Sequence, residues 1–327
     1  MQPEPIIISN SEIQKFKRCK RAWLMAYYRK LIPIREDPTG PRSIGNRVHG
    51  VIAHYYELQM TVGADEAVEQ SLSLHDWSVA LDYERCPEDE DEIRKDADLS
   101  RAMVEGYFEW LETEAVDEGM KVVGIEEEVE HTMDIPTANG PVPVRIRGKL
   151  DLRVAFENPN GPEHEPLTLF LDHKTVQEFT TPTRALALDE QLLLYHWLLL
   201  WHPELPGGRV SGCIYNMIRK VKRSSRAKPP FYNRFEVRHN NDEIRSFHTR
   251  LVGELRDILE LRAKLDAGAD PLSVAYPSPN RNCSWDCDFY SVCNLMDRPK
   301  DKPDDYIARI FREGDPYARY SSEGQIV

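Results

Sequence analysis

The hydrophobic pattern along the chain changes period three times. Near the start, Ser9 followed by Glu12 has the form of a capping box and predicts a helix over about 11–30. A loop with Pro33, Pro38, Gly40 and Pro41 follows, then "IGNRVHGVIAHYYELQM", where His49, Ile52, Ala53 and Tyr56 share one helical face. Residues 64–118 read as helix with an acidic loop near 87. From residue 121 the period drops to two, predicting strands at 121–131, 142–156 and 166–175. The apolar stretch "RALALDEQLLLYHWLLLW" reads as a helix, "GRVSGCIYNMI" and "FYNRFEVR" as strands, and 241–267 as a charged helix. No internal repeat is visible. Strands joined through a helical crossover predict an α/β fold with a mixed sheet. The expected divisions are a helical region 1–120, a core 121–240, a helix and cysteine segment 241–297 and a polar tail 298–327.

Alternation in "VRIRGKLDLRV" places Ile146, Gly148, Leu150, Leu152 and Val154 on one strand face. The other face carries Arg145, Arg147, Lys149, Asp151 and Arg153, so Asp151 is the one acid among cations. The next strand, "LTLFLDHKTV", ends its apolar run on Asp172, His173 and Lys174, with Asp172 and Lys174 on the same side. If these strands pair, Asp151 and Asp172 converge beside Lys174. Two neighbouring carboxylates repel unless a cation sits between them. Their hard oxygens suit Mg²⁺ or Mn²⁺. Such an ion stabilises charge on a phosphoryl group, and a nearby ammonium can assist. The same three letters also describe a salt-bridged strand end, so the surroundings must decide. Glu126, Glu128 and Glu130 read as a solvated strand face.

Charge and composition narrow the setting. The chain has 327 residues, 41% of them hydrophobic, and a formal charge of −13. No apolar run approaches the roughly 18 residues of a membrane span. The start lacks the form of a signal peptide, so a soluble cytoplasmic protein is expected. Two runs oppose the acidic balance: "KFKRCKRAWLMAYYRK" at 15–30 and "RKVKRSSRAK" at 219–228 contain no acid. Lys17, Arg18, Lys20, Arg21, Lys220, Lys222 and Arg223 are therefore candidates to grip an anionic partner.

Taken together, "GKLDL", "LFLDHKT" and "DEQLLLYHW" resemble the nuclease domain of RecB-like exonucleases in the PD-(D/E)XK superfamily. The resemblance implies a restriction-endonuclease-like core, a mixed sheet flanked by helices. It also implies that His49, Asp151, Asp172 and the backbone carbonyl of His173 bind a divalent metal. Lys174 would serve catalysis, and Gln191 and Tyr195 would position the site and DNA. Gln191 and Tyr195 are four apart and share a helix face. A lone helical His is often a satisfied core residue, but the "GxxxHxxxxxYY" setting of His49 matches the family's first motif.

The chain has six cysteines. Cys213 falls in an apolar strand and reads as a buried small hydrophobe, while Cys86 has no evident partner. "NCSWDCDFYSVC" groups Cys283, Cys287 and Cys293, and Cys19 is the candidate fourth ligand. Four thiolates alone suit zinc or an iron–sulfur cluster. A lone N-terminal Cys with a C-terminal trio resembles the [4Fe–4S] arrangement of AddB-type nucleases and the CRISPR-associated RecB-like exonuclease. The first C-terminal spacing is x3 where that family usually has x2, and Lys20 replaces a frequent Pro. The cluster would act as a staple, worth on the order of 5 kcal/mol if it behaved as a covalent cross-link.

The resulting expectation is a metal-dependent DNA exonuclease, acting on single-stranded ends in recombination or repair. A CRISPR-adaptation nuclease that trims DNA beside an integrase, and a catalytically silent iron–sulfur adaptor, are the alternatives. No GxxxxGK[ST] motif occurs, so unwinding would require a partner protein. Oligomeric state is not legible.

Overall fold

The computed structural model describes residues 4–35, 37–158, 166–205 and 210–318. Among these, the strands are β1 (Ile6–Ser9), β2 (Leu31–Pro33), β3 (Lys121–Thr137), β4 (Gly140–Phe156), β5 (Leu167–Val176), β6 (Gly212–Arg219), β7 (Tyr232–Val237) and β8 (Phe311–Glu313). The principal helices are α1 (Asn10–Arg18), α2 (Lys20–Trp23), α3 (Gly40–Gln59), α4 (Ala64–Arg85), α5 (Glu90–Glu114), α6 (Thr180–Ala185), α7 (Glu190–Leu199) and α8 (Asn241–Asp266). The chain forms two compact units. One comprises Met1–Glu36, Glu130–Gly148 and Asp242–Ile326, the other Asp37–Val129 and Lys149–Asn241. The long strands β3 and β4 contribute to both.

In the second unit β4 pairs antiparallel with β5, β5 parallel with β6, and β6 antiparallel with β7. Parallel neighbours need a crossover, and α6 and α7 supply it. The sheet is therefore mixed, as expected. Leu152, Val154, Leu169 and Leu171 are buried against Val48, Ile52 and Tyr56 of α3 and Met103 and Tyr107 of α5. That is the apolar face read from alternation in β4 and β5. Arg47 of α3 is 8% exposed and holds Asp82 of α4 at 2.6 Å, which ties two helices of this unit together.

In the first unit β1 lies parallel to β4, with Ile8 opposite Ile146. Ser9 caps α1, its hydroxyl accepting the Glu12 N–H at 3.3 Å. Glu12 does not return the bond. Its fully buried carboxylate instead accepts from Trp23 Nε1 at 2.9 Å and Arg262 at 2.8 Å, and from Tyr317. The predicted helix over 11–30 is interrupted. Cys19 is extended, with φ −163° and ψ 112°, and separates α1 from α2. A π-helical turn, Leu24–Tyr28, completes the stretch. The single helix expected through 184–201 is also divided, because the Asp189 side chain caps a fresh start for α7. Among the described residues, no helix is long and apolar enough to cross a membrane.

Candidate active site

Both faces of β5 carry functional polarity just where its apolar run ends. On one face, the Lys174 ammonium lies 2.8 Å from Asp172 and donates to Gln191 Oε1 at 3.1 Å. Gln191 Nε2 donates to Asp172 Oδ1 at 3.2 Å and to the Tyr195 hydroxyl at 3.0 Å. An ammonium can only donate, so Lys174 fixes which end of the Gln191 amide faces the carboxylate. Asp189 starts α7 by accepting the Gln191 and Leu192 N–H groups, which sets Gln191 at the helix entrance. Tyr195 follows one turn later.

Asp151 reaches the same place from β4. Its Oδ2 accepts the backbone N–H of His173 at 2.6 Å and lies 3.7 Å from His49 Nδ1. His49 is carried by α3, which approaches β5 closely at Gly45. A Cβ there would meet Thr175 Oγ1 at 3.3 Å. Asp151, Asp172, Lys174, His49, Gln191 and Tyr195 are thus brought together.

Burial pushes the Asp172 carboxyl up to about 6; Lys174 opposes that shift and Asp151 adds to it. Burial does the same for Asp151, also to about 6, with Lys174 and the His173 N–H opposing. Burial works against the Lys174 charge, but Asp172 and Asp151 outweigh it and its pKa is raised. Burial and then Lys174 lower His49 to about 4, leaving a neutral imidazole able to ligate a metal. Asp172 is 2% exposed, and its Oδ2 is held by the Lys174 ammonium at 2.8 Å. Two carboxylates and a neutral imidazole, buried together, form a donor set that fits a hard divalent cation.

The other face of β5 holds a buried network that the sequence reading missed. His173 is 1% exposed, and its Nδ1 lies 2.7 Å from Asn216 Nδ2 of β6. Asn216 Oδ1 accepts from Arg234 Nε at 3.1 Å, and Asn216 Nδ2 donates to the Tyr107 hydroxyl at 3.1 Å. Arg234 of β7 also donates to Asp117 at 2.5 Å and to the Tyr56 and Tyr107 hydroxyls at 3.1 Å each. Burial opposes the Arg234 charge, but Tyr107, Tyr56 and Asp117 more than compensate. The rings of His49 and Tyr56 pack on His173 at 5.9 Å and 6.2 Å. The available signal was an Asn inside an apolar strand and the Tyr55–Tyr56 pair.

Glu126 and Glu130 are not simply solvated, contrary to expectation. Glu126 pairs with Lys149 at 2.7 Å, and Glu130 pairs with Arg147 at 3.0 Å. Glu126 adopts φ 49°, in the left-handed region. Alternation is broken there, so consecutive residues reach the same cationic face of β4: Glu127 holds Arg153 at 2.8 Å. Glu127 also meets His202 at 3.2 Å, and Arg153 holds Glu204 at 2.6 Å. Glu127, His202 and Glu204 have ligand atoms within 4.8 Å of one another, and the Arg153 guanidinium bonds both acids.

Each of the four candidate cluster thiols has an N–H donor nearby. Cys19 Sγ accepts from Ser278 N and Cys283 Sγ from Asn280 N, each at 3.4 Å. The Phe289 backbone N–H serves Cys287, and Arg21 Nη1 lies 4.0 Å from Cys293 Sγ. Burial raises the Cys287 and Cys293 thiols, and those donors oppose it. Such donors suit thiolate ligands. Cys86 and Cys213 are buried elsewhere.

The basic candidates are mostly engaged. Arg21 is 3% exposed and holds Asp297 at 2.8 Å. Lys17 pairs with Glu254 at 2.7 Å, Arg18 with Asp286 at 2.6 Å, Lys222 with Asp98 at 3.1 Å and Arg223 with Glu109 at 2.5 Å. Lys20 lies over the Tyr276 ring at 5.1 Å. Lys220 is half-buried, and burial lowers its pKa.

A family model described as the PD-(D/E)XK nuclease superfamily matches residues 7–294. No match was found among curated proteins. Of solved structures, one named "Putative exonuclease" from Eubacterium rectale is 12% identical, with TM-score 0.46, covering 88% of this chain and 87% of its own. Another, SSO0001, is 16% identical, with TM-score 0.30, covering 64% of this chain and 81% of its own. Both scores are too low to establish a shared fold by themselves.

Proposed function

Because the chain belongs to the PD-(D/E)XK nuclease superfamily, we propose that it is a metal-dependent exonuclease that hydrolyses DNA phosphodiesters at single-stranded ends. The observation that carries this reading is the convergence of Asp151, Asp172 and Lys174 with His49 beside them. A divalent ion bound by His49, Asp151, Asp172 and the His173 carbonyl would polarise the scissile phosphate and lower the pKa of attacking water. The chain's own groups do the rest. Lys174, kept charged by Asp172, orients the nucleophile or neutralises charge as it develops. Gln191 holds ammonium and carboxylate in register, and Tyr195 holds Gln191.

Cys19, Cys283, Cys287 and Cys293 are assigned to a [4Fe–4S] cluster that staples distant parts of the chain. The lone N-terminal Cys with a C-terminal trio supports this reading, and each thiol has an N–H donor nearby. A role in recombination or repair accords with this chemistry.

The test is degradation of end-labelled single-stranded DNA with Mg²⁺ or Mn²⁺, comparing wild type with Lys174→Ala prepared without oxygen. Shortening by the wild type alone supports the assignment. Equal activity in both proteins overturns it.

A further inference from the structure

The parallel ladder between β5 and β6 continues past the active site. Lys174 is opposite Met217, and Val176 is opposite Arg219. Side chains alternate along each strand, and parallel partners share a face. Arg219 therefore emerges on the face that carries Asp172 and Lys174. Two residues of strand, roughly 6.6 Å, separate it from the Lys174 level.

The segment after Arg219 folds back on it. Arg219 Nη1 donates to the Lys228 carbonyl at 3.0 Å, while its Nε is buried without an acceptor. Arg219, Arg226 and Lys228, with Val221, Ser224 and Ala227, line a cleft of about 500 Å³. No carboxylate lines it. Lys222 and Arg223, in the same segment, are held by acids outside the cleft. Arg226 and Lys228 are exposed and have no acidic partner among the described residues. Uncompensated cations around an open cleft, one with an unused buried donor, select an anion. Guanidinium groups favour phosphate through paired N–H donors.

We infer that this cleft binds a backbone phosphate of the strand being cut, adjacent to the phosphate that meets Asp172 and Lys174. The inference rests on the nuclease reading above. It assigns Arg219, Arg226 and Lys228 the anchoring role, in place of the ion-paired Lys222 and Arg223.

The test is fluorescence anisotropy of labelled single-stranded DNA in EDTA, for wild type and for Arg226→Ala with Lys228→Ala. Both residues are exposed, and thermal unfolding verifies that the variant folds. Binding is expected to weaken at least about tenfold at low salt, and the log–log salt slope to become shallower by about 0.7, the share of one phosphate contact on a single strand. In a second arm, one methylphosphonate is moved along the DNA. Wild type should lose affinity sharply at one position where the variant does not. Unchanged affinity and slope in the variant, or the same methylphosphonate profile in both proteins, would overturn the inference. So would binding of inorganic phosphate to the cleft with no change in DNA affinity, which marks a small-anion site. Absence of cleavage by wild type would instead overturn the nuclease reading, because these binding measurements need no catalysis.

Discussion

Arg234 donates its Nε–H to Asn216 Oδ1 at 3.1 Å, and this contact decides the tautomer of His173. A guanidinium never accepts, so the amide oxygen must face it. Asn216 Nδ2 then faces His173 Nδ1 at 2.7 Å and donates to it. Burial, then His49, lower the His173 pKa far below its usual range, so the ring is neutral and its proton sits on Nε2. In Asn216→Asp an oxygen replaces the donor, and the proton should move to Nδ1. ¹⁵N spectroscopy of histidine-labelled protein reads this directly; an unchanged tautomer contradicts the assignment. Asn216→Leu should cost about 1–3 kcal/mol in urea unfolding, because buried donors lose their partner.

Lys174→Ala removes an ammonium that holds Asp172 and Gln191. Single-turnover cleavage should fall about 10²–10³-fold, the usual loss for one charge-stabilising donor. Mn²⁺ binding, followed by electron paramagnetic resonance, should be at least as tight as in wild type, because a competing cation has gone. Loss of both activity and Mn²⁺ binding would place Lys174 in the scaffold instead.

The carboxyl pair makes the metal-free protein sensitive to mild acid in an unusual direction. Asp151 is raised from 3.8 to about 6, so the folded state holds a proton that the unfolded chain releases. Stability from this group is therefore full below about pH 4, falls between about 4 and 6, and stays low above. In EDTA, Asp151→Asn should gain on wild type by roughly 3 kcal/mol across that window. Urea unfolding at pH 4, 5, 6 and 7 checks the sign. Added Mn²⁺ should reverse the order at pH 7, where only wild type has the full ligand set.

Cys283→Ala should lose the cluster absorbance that Cys86→Ala retains. Iron and acid-labile sulfide are expected in equal amounts in anaerobically purified wild type. Zinc without sulfide would replace the cluster assignment.

The core acids were readable because a strand converts sequence parity into direction. Asp151, Asp172 and Lys174 follow from alternation, while Gln191 and Tyr195 came with the family resemblance, and helical spacing then put them on one face. The support behind them was not readable. Arg234 and Asp117 stand 117 positions apart, and no local period links them. The pairing of Glu126 and Glu127 to one face of β4 depends on a left-handed residue that alternation cannot foresee. Cys19 stood out as a candidate ligand, but its neighbours' helical pattern concealed the extended backbone that interrupts the helix there.

The unit containing all four candidate cluster cysteines is assembled from the two ends of the sequence and a short middle piece. Synthesis is directional, so this has a temporal meaning. At about 5–20 residues per second, Cys19 is made roughly 13–50 s before Cys283 exists. During that interval the segment around Trp23 and Glu12 lacks Arg262, which later covers both. Assembly of this unit therefore waits on its later segments, and its N-terminal segment keeps Glu12 and Trp23 uncovered by Arg262 until then.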